Sequence, residues 1–287
     1  MRSGFVALAG RPNVGKSALV NALCESKVVI VSDKPQTTRH RVQGVVNGPD
    51  AQLVLVDLPG FQRPLDALTE RMQRRVDRAL EDGIDGVLFV LAVDEAIGAG
   101  DRFVAARVLG RPVPVVIALN KVDRTDAAAI ARQIGKAATL GDFHALHPVS
   151  ARTGDGVGAL REELLALLPE GPLYFPPGEA TDAPLELRIA ELVRERALEL
   201  TRDEVPHALT VELEEIEGRR VTASLFVETA SQKQILVGKG GRMIKQIGTR
   251  ARPEIELLLG GPVYLELRVK VKPRWRRDEA LLERLGL

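Results

Sequence analysis

The sequence predicts a three-layer α/β domain with a mostly parallel sheet, followed by a smaller α+β domain. Between residues 4 and 168, short apolar runs alternate with longer helical patterns, which is typical of parallel strands covered by helices. Residues 169–184 contain five prolines, a composition that interrupts helices and cannot form a central strand. We therefore expect one domain at 1–168, a proline-rich linker at 169–184 and a second domain at 185–287.

The strands of the first domain are predicted from its apolar runs. In chain order these runs are FVALA, QLVLVD, GVLFVLAVD, PVVIALN and ALHPVS. The helical pattern SALVNAL follows the first run, and a longer one covers residues 68–82. Because helical segments separate the runs, we expect consecutive strands to be parallel.

The second domain shows a different order of elements. We predict a helix over 185–201, two strands in ALTVELEEIE and RVTASLFVET, and a short helix that ends in a glycine loop. A longer helix from Arg242 and the strand VYLELRVKV complete the domain. Strands and helices that do not alternate regularly are typical of an α+β domain.

Composition excludes several classes of protein. The single cysteine, Cys24, rules out an internal disulfide framework and fits a reducing, cytoplasmic compartment. The longest apolar run, Val87 to Val93, is far shorter than the roughly 20 residues that span a bilayer. The net charge is only +1, but residues 229–277 contain 12 Lys or Arg against 3 Glu. That segment is either a surface for a polyanion or a solvated basic face.

A phosphate-binding loop is predicted at GRPNVGKS, from Gly10 to Ser17. It matches G-x-x-x-x-G-K-[ST] and lies between a predicted strand and a predicted helix. Backbone N–H groups of such a loop converge on phosphate oxygens, Lys16 adds a positive charge, and the Ser17 hydroxyl can bind Mg²⁺. A chance strand-to-helix turn is the alternative, and three further motifs make it a poor one.

Those motifs complete a nucleotide site and select its base. DLPG, Asp57 to Gly60, ends a strand where a carboxylate can reach the metal and a glycine N–H can face the third phosphate. NKVD, Asn120 to Asp123, and VSA, Val149 to Ala151, each follow a later strand. The Asp123 carboxylate can accept two hydrogen bonds from guanine, whereas adenine would leave it unpaired. We therefore expect GTP rather than ATP.

These motifs resemble those of translation-factor-class GTPases, and the whole chain resembles the Era family. The resemblance covers nearly all 287 residues and includes KPQTTRHR (34–41), DLPGFQRPLDAL, ASQKQILVGKGGRMIKQIG and VKVKPRW. It implies a P-loop GTPase domain followed by a type II KH domain, which binds the 3′ end of small-subunit ribosomal RNA and assists assembly of that subunit. It also implies a monomer with peripheral contact to the inner membrane. Leu58 departs from the family, which usually has threonine there.

The resemblance assigns roles to individual residues. It implies that Lys16, Thr38, Asp57 and Gly60 are the catalytic residues. It also implies that Ser17 and Thr38 bind Mg²⁺, with Thr37 left open as the alternative to Thr38. Asn13 is expected either to hold a K⁺ ion or only to brace the loop. The nucleotide-binding residues are Gly10, Arg11, Pro12, Asn13, Val14, Gly15, Lys16, Ser17, Asp57, Leu58, Pro59, Gly60, Phe61, Asn120, Lys121, Asp123, Ser150 and Ala151.

The second glycine loop is predicted to bind RNA. Gly238-Lys239-Gly240-Gly241 lacks the spacing of a triphosphate loop and joins two predicted helices, which fits the G-x-x-G turn of a KH domain. Lys239, Arg242 and Lys245 are expected to meet phosphates. Four apolar residues line either the RNA groove or the core, namely Ile235, Val237, Ile244 and Ile247. Trp275 either stacks on a base or packs on its own domain.

Hydrolysis without a glutamine is the last expectation. Ras-like GTPases orient water with a glutamine after the DxxG glycine, and this chain has Phe61 there. Arg39 and Arg41 are candidates for neutralising charge. We expect slow intrinsic hydrolysis in a switch that releases RNA after GTP is hydrolysed. A constitutive RNA scaffold with nucleotide as a structural ligand is the main alternative, and a P-loop kinase is a weaker one. His144 and His147 are expected on opposite faces of a strand, with no metal role.

Overall fold

The computed structural model describes residues 1–34, 36–61, 64–81 and 83–287. Four residues of predicted segments lie outside the described residues: Pro35 in the switch segment, Gln62 and Arg63 after DLPGF, and Asp82 at the end of a predicted helix. The chain forms two compact units. The first comprises Met1–Val29, Thr38–Pro64 and Thr69–Asp182, and the second comprises Ile30–Thr37, Leu65–Leu68 and Ala183–Leu287.

The N-terminal part of the chain alternates strands and helices as predicted, except that its second and third strands follow one another without an intervening helix. Its strands are β1 (Arg2–Ala9), β2 (Val42–Asn47), β3 (Ala51–Asp57), β4 (Gly86–Ala92), β5 (Val115–Asn120) and β6 (Ala145–Pro148). Its helices are α1 (Lys16–Cys24), α2 (Ala67–Glu81), α3 (Ala99–Val108), α4 (Ala127–Ala137) and α5 (Val157–Ala166). The sheet order is β2-β3-β1-β4-β5-β6, and all neighbouring strands are parallel except β2 and β3.

The core of the first unit explains why its central strands are almost continuously apolar. Every residue of β3, β4 and β5 is buried. Helices cover both faces of a parallel sheet, so its strands do not alternate between apolar and polar residues. The carboxyl ends of β1, β3, β5 and β6 carry or precede the four predicted motifs, which places the motifs on one edge of the sheet.

The proline-rich segment packs against the first unit as far as Asp182. The fully buried Gln52 accepts hydrogen bonds from the backbone N–H groups of Tyr174 and Phe175 at 2.9 and 3.0 Å. Its Nε2 donates to the Phe175 carbonyl at 2.9 Å. The rings of Phe5 and Tyr174 lie 4.6 Å apart between centroids. Together with hydrogen bonds from Ser3 and Val45, this buried glutamine on β3 holds a segment that has isolated β-bridges but no helix or strand of its own.

The C-terminal part of the chain forms a three-stranded sheet with helices. Its elements are α6 (Leu185–Leu200), α7 (Val205–Ala208), β7 (Thr210–Glu217), β8 (Arg220–Val227), α8 (Ala230–Val237), α9 (Arg242–Leu259), β9 (Tyr264–Val271) and α10 (Glu279–Arg284). The sheet order is β7-β8-β9, with β7 antiparallel and β9 parallel to β8. Apolar residues of α6, α9 and the sheet form the core of this unit.

Trp275 belongs to the fold of the second unit. Its side chain is fully buried, and its Nε1 donates to the Ala208 carbonyl at 2.7 Å. Of the two roles left open, packing on its own domain is therefore the one observed. Within the described part of the chain, no helix is both long enough and apolar enough to cross a membrane.

Candidate functional site

The loop between β1 and α1 has the conformation of a phosphate-binding loop. Gly15 has φ 97°, and a Cβ atom there would lie 2.3 Å from Asn120 Nδ2. Only glycine fits this position, because the conformation is left-handed and the side chain of Asn120 is already in contact. Helix α1 begins at Lys16, so its free N–H groups and positive dipole end lie at the loop.

Lys16 is a buried cation in this loop. Its Nζ donates to the carbonyl groups of Gly10 and Arg11 at 3.2 and 3.1 Å. Burial lowers the pKa of Lys16 to about 8, although the negative charge of Asp57 opposes the shift. An anion at this loop would favour the charged ammonium, because it would compensate the loss of solvent.

Three oxygen-bearing side chains meet beside Lys16. Ser17 Oγ lies 2.7 Å from Thr38 Oγ1 and donates to Asp57 Oδ2 at 2.8 Å, and Thr38 Oγ1 donates to the same carboxylate oxygen at 3.3 Å. Burial raises the pKa of Asp57, and Lys16 and the hydroxyl groups oppose the rise. Its Oδ1 is buried and makes no hydrogen bond with the described residues.

This cluster fits a magnesium ion. Mg²⁺ prefers oxygen ligands and is commonly held by one or two protein groups together with phosphates and water. The cluster offers two hydroxyl groups and a buried carboxylate with an unused oxygen, all within 3.3 Å of one another. Across the described residues, no group of three or more His, Cys, Asp or Glu could hold a metal by itself. The protein groups that this cluster offers to Mg²⁺ are therefore the hydroxyl groups of Ser17 and Thr38 and the carboxylate of Asp57.

The structure distinguishes the two adjacent threonines. Thr38 places its hydroxyl in the oxygen cluster. Thr37 instead donates its hydroxyl to the Lys34 carbonyl at 2.6 Å and is counted in the second unit. The geometry therefore favours Thr38 over Thr37 as the metal ligand.

The residues after β3 pack closely on the phosphate-binding loop. A Cβ atom at Gly60 would lie 2.7 Å from Pro12 N, and the Phe61 N–H donates to the Gly10 carbonyl at 3.3 Å. The Phe61 side chain belongs to the core cluster of the first unit, and its ring lies 5.8 Å from the Arg107 guanidinium carbon. Leu58 is also fully buried. Phe61 therefore anchors this segment instead of orienting water.

Asn120 connects the two distal loops to the phosphate-binding loop. Its Nδ2 donates to the Val14 carbonyl at 3.0 Å, and its Oδ1 accepts from the Ala151 N–H at 3.0 Å. Asn120 therefore braces these loops against one another.

The carboxylate of Asp123 is held by contacts with Ser150 and Arg152. It accepts one from Ser150 Oγ at 2.6 Å, and Arg152 Nη2 lies 2.7 Å from its Oδ2. The hydrogen bond from Ser150 and the charge of Arg152 lower the pKa of Asp123. The carboxylate is therefore ionised at neutral pH, as recognition of guanine requires. Nearby, Lys121 has φ 69° and its Nζ lies 3.3 Å from Asp94.

Arginines near this site differ in their surroundings. Arg152 is not among the residues predicted from the sequence, and only its position directly after VSA could have indicated it. Arg11 is held by Asp101 and Glu95, each at 2.7 Å. Of the two switch arginines, Arg39 is buried and Arg41 is exposed.

The second glycine loop joins α8 to α9. Gly238, Gly240 and Gly241 have φ values of 71°, 61° and 79°, so the turn depends on left-handed conformations. The predicted phosphate contacts on this loop and on the first turn of α9 are exposed, namely Lys239, Arg242 and Lys245. Their side chains form no ion pair with any described residue, which leaves three positive charges available to an anionic partner.

The apolar residues around this loop divide between core and surface. Ile247 is fully buried in the core of the second unit, and Ile244 packs partly against that core. Ile235 is 50% exposed, so it is the one of the four that presents a large apolar surface to solvent. Of the two roles left open, the core role is the one observed for Ile247, whereas the groove role of Ile235 stays a prediction.

The two histidines near β6 do not lie on opposite faces as expected. His144 Nε2 lies 2.9 Å from Glu163 Oε1, and His147 Nε2 lies 3.6 Å from Glu163 Oε2. His144 precedes β6, which starts at Ala145, so the alternation of strand side chains does not apply to it. Both imidazoles reach the same carboxylate of α5.

Comparison with known families agrees with this geometry. The model of a family described as "50S ribosome-binding GTPase" matches residues 5–121, and the model of the KH domain matches residues 204–276. The protein "GTPase Era" of Nocardioides sp. is 47% identical over 302 residues, which cover 99% of this chain and 96% of the relative. "GTPase Era" of Mycobacterium tuberculosis is 45% identical over 295 residues, covering 99% of this chain and 98% of the relative.

Two solved structures match the entire chain. One is Era in complex with MgGDPNP and nucleotides 1506–1542 of 16S ribosomal RNA, at 38% identity and a TM-score of 0.93, covering 100% of this chain and 99% of the other. The second is a point variant of Aquifex aeolicus Era bound to GDP·AlF4⁻, at 38% identity and a TM-score of 0.95, with the same coverage.

Proposed function

Since this chain belongs to the Era family of GTPases, we propose that it is a switch that binds small-subunit ribosomal RNA in its GTP state and assists assembly of that subunit. Its GTPase domain hydrolyses GTP, and its KH domain binds RNA. The proposal concerns the RNA target, the dependence on nucleotide and the biological role.

One observation supports a switch over a constitutive RNA scaffold. Thr38, Ser17 and Asp57 meet within 3.3 Å of each other beside the buried Lys16. A structural nucleotide needs only the phosphate-binding loop and the base-binding residues. A threonine from a separate segment that reaches the metal cluster is the arrangement by which a third phosphate orders a switch segment.

The residues of this chain divide the work of hydrolysis. Mg²⁺, held by Ser17 and Thr38, supplies charge neutralisation at the phosphates. Lys16 binds the outer phosphates, and the N–H groups of the loop and of Gly60 stabilise negative charge. Asp57 accepts hydrogen bonds from both hydroxyl groups and so orients them.

The remaining nucleotide contacts give affinity and base selection. Gly10 to Gly15 line the phosphates, Leu58 to Phe61 close that end of the site, and the Lys121 stem covers the base. Asp123 accepts hydrogen bonds from guanine, while Asn120, Ser150 and Ala151 hold that pocket in shape. This division is supported by their common position at one edge of the sheet.

Ribosomal RNA binding is proposed for the loop Gly238–Gly241. The exposed side chains of Lys239, Arg242 and Lys245 support this role, because phosphates need accessible cations. The 3′ end of the small-subunit RNA is proposed as the target because one of the similar Era structures contains nucleotides 1506–1542 of 16S ribosomal RNA. Domains at 1–168 and 185–287, joined by 169–184, are proposed as the functional division.

Asn13 is proposed to hold a potassium ion against the phosphates. It has φ 65° in the exposed part of the loop, a conformation that asparagine tolerates better than most residues. The same observation is compatible with the alternative that Asn13 only braces the turn. A cytoplasmic monomer with peripheral inner-membrane contact is also proposed, on the family resemblance alone.

RNA crosslinking and sequencing tests the proposed function. The protein is loaded with a non-hydrolysable GTP analogue or with GDP and mixed with small ribosomal subunits and their RNA. We expect crosslinks at the 3′ end of the small-subunit RNA, enriched in the GTP-analogue state. Equal crosslinking in the two states would favour the scaffold, and crosslinks elsewhere would contradict the target.

A further inference from the structure

A short segment from early in the chain, residues 30–37, forms part of the second unit. Ile30 is 5% exposed and belongs to the same core cluster as Ile189 and Val193 of α6. The backbone of the segment is also bonded at both ends by side chains of α6. The segment is therefore integrated into the unit that contains the KH loop.

Glu195 of α6 holds the first end. Its Oε1 accepts a hydrogen bond from the Val31 N–H at 2.8 Å, and its side chain is 4% exposed. Its other oxygen lies 3.0 Å from Arg196 Nη2, which also pairs with Glu254 of α9. Since α9 begins directly after the glycine loop, a partly buried network joins the helix that follows the KH loop to the backbone of Val31.

Arg194 of α6 holds the second end. Its side chain is 1% exposed, and its Nη2 donates to the Thr37 carbonyl. Glu191 pairs with Arg194 at two points, through Nε at 2.7 Å and Nη2 at 2.6 Å. A buried guanidinium is costly unless its donors are used, so this side chain stabilises one position of Thr37.

The residue after Thr37 is Thr38, whose hydroxyl lies in the oxygen cluster of the first unit. Consecutive Cα atoms are about 3.8 Å apart, so a fixed Thr37 carbonyl restricts where Thr38 can lie. We propose that Arg194 and Glu195 are positioning residues for GTP hydrolysis. They hold segment 30–37 so that Thr38 reaches Mg²⁺, and RNA bound at the KH loop acts on hydrolysis through them. This inference rests on the proposed function.

The test removes the hydrogen bond from Arg194 to the Thr37 carbonyl without leaving a buried charge unpaired. The double variant Arg194→Met with Glu191→Gln eliminates the guanidinium together with its carboxylate partner. Arg194→Lys keeps one donor for the Thr37 carbonyl and serves as the conservative variant. Arg220→Met is the matched control, because it removes an exposed ion pair with Glu266 in the same unit.

Three quantities are measured on the full chain. They are the affinity for an RNA of the 3′ end of the small-subunit RNA in the GTP-analogue and GDP states, the Mg²⁺ concentration for half-maximal GTP hydrolysis, and the affinity for GDP. In the double variant, we expect the ratio of RNA affinities in the GTP-analogue and GDP states to fall by about fivefold or more. Fivefold is the lower end of the range typical of allosteric coupling between two sites. The double variant should need more Mg²⁺ and bind GDP as the parent does, while Arg194→Lys restores part of the loss.

The outcomes distinguish the nucleotide-dependent switch from the positioning roles of Arg194 and Glu195. If the parent protein binds RNA with equal affinity in the GTP-analogue and GDP states, the proposed function itself is contradicted. If the parent shows the preference, and a folded double variant keeps it with unchanged Mg²⁺ dependence, the positioning role of Arg194 at Thr37 is overturned. If the double variant does not fold, Ile30→Ala decides, since it loosens the segment without changing α6. Retention of both properties in that variant would equally overturn the inference.

Discussion

Asp123 is the residue on which base recognition depends. Its pKa is lowered by Ser150 and Arg152, so it accepts hydrogen bonds as an anion. We predict that Asp123→Asn shifts preference from GTP towards xanthosine triphosphate, because the new amide donates where guanine also donates. A charge-assisted hydrogen bond contributes about 1.5–3 kcal/mol, so GTP affinity should fall roughly ten- to hundredfold.

Nucleotide affinities measured by fluorescence or calorimetry check this shift. Asp126→Asn is the matched control, since Asp126 caps α4 by accepting from the Ala129 N–H and asparagine caps equally well. If Asp123→Asn bound GTP as tightly as the parent, the guanine assignment would be wrong.

Lys16 contributes to stability in a way that depends on pH. Burial lowers its pKa from 10.5 to about 8, which corresponds to about 3 kcal/mol between the two protonation states. Between about pH 8 and 10.5 the unfolded chain still binds the proton that the folded chain has released. The free energy of unfolding therefore rises with pH in that window.

We predict that Lys16→Met removes this rise from the nucleotide-free protein. The variant should exceed the parent in stability most clearly below pH 8, and the difference should shrink by about 3 kcal/mol towards pH 10.5. Urea unfolding at several pH values measures it, with the exposed Lys136→Met as control. A difference that stays constant across the window would show that Lys16 keeps an ordinary pKa in the folded protein.

Among the secondary-structure elements, the sequence predicts those strands and helices whose apolar residues follow a regular pattern. The central strands β3, β4 and β5 are predictable because their apolar runs are continuous and entirely buried. The helix α9 is predictable because its apolar residues recur at helical spacing, and Ile247, Ala251 and Ile255 of that face are buried. The strand β2 is not predicted by such a pattern. Its sequence VQGVVN is short, is interrupted by Gly44 and lies at the sheet edge, where pairing with β3 decides its conformation.

Long-range contacts explain the other gaps between prediction and structure. The proline-rich segment is held by the buried Gln52, more than 120 residues away in sequence, which no local pattern reveals. Arg152 reaches Asp123 only because the two loops converge. By contrast, the motifs around Lys16, Asp57 and Asn120 can be predicted from the sequence, because their chemistry requires fixed residue types at fixed spacing.

The glycine loop of the KH domain allows a variant that separates charge from shape. Gly240 has φ 61°, a conformation that Asp and Asn tolerate, and an added Cβ atom would meet no other atom within 4 Å. We predict that Gly240→Asp folds, binds GTP normally and loses RNA binding. A like charge 4 Å from a phosphate costs between about 1 and 4 kcal/mol, depending on how exposed the pair is.

Gly240→Asn is the matched control, because it has the same shape without the charge and should retain more RNA affinity. Filter binding at several salt concentrations measures both variants. The parent's affinity should fall as salt rises, since its phosphate contacts are ionic. Equal affinity of Gly240→Asp and the parent would contradict the KH assignment of this loop.

Across the whole molecule, positive charge is concentrated in the region that carries the KH loop. Residues 229–277 hold 12 Lys or Arg against 3 Glu, although the chain as a whole carries only +1. The basic KH region therefore lies on a chain whose other residues are net acidic, which restricts attraction for RNA to the KH region. RNA binding and GTP hydrolysis can then be perturbed separately, and their coupling becomes measurable.

We predict that GTP hydrolysis depends on a cation that takes the place of a catalytic glutamine and an arginine finger. The position of the Ras glutamine is Phe61, whose side chain is 5% exposed and packs in the core, and Arg39 is buried. An arginine finger contributes roughly 10³- to 10⁵-fold, so hydrolysis by the protein alone should be slow. We predict faster turnover in potassium than in sodium at equal ionic strength, and faster still with the RNA bound, because Asn13 holds potassium at the phosphates.

Steady-state hydrolysis in both salts, with and without the RNA, checks this mechanism. Asn13→Gly removes the side chain but keeps the left-handed conformation at φ 65° without strain. It therefore tests cation binding without disturbing the loop, whereas Asn13→Ala would also strain the backbone. We expect Asn13→Gly to lose the potassium preference while GTP affinity is retained. Phe61→Gln should be less stable and remain slow, because its amide would enter an apolar core. Equal rates of the parent in potassium and sodium would eliminate the cation mechanism, and Ras-like turnover of Phe61→Gln would show that the glutamine was the only missing group.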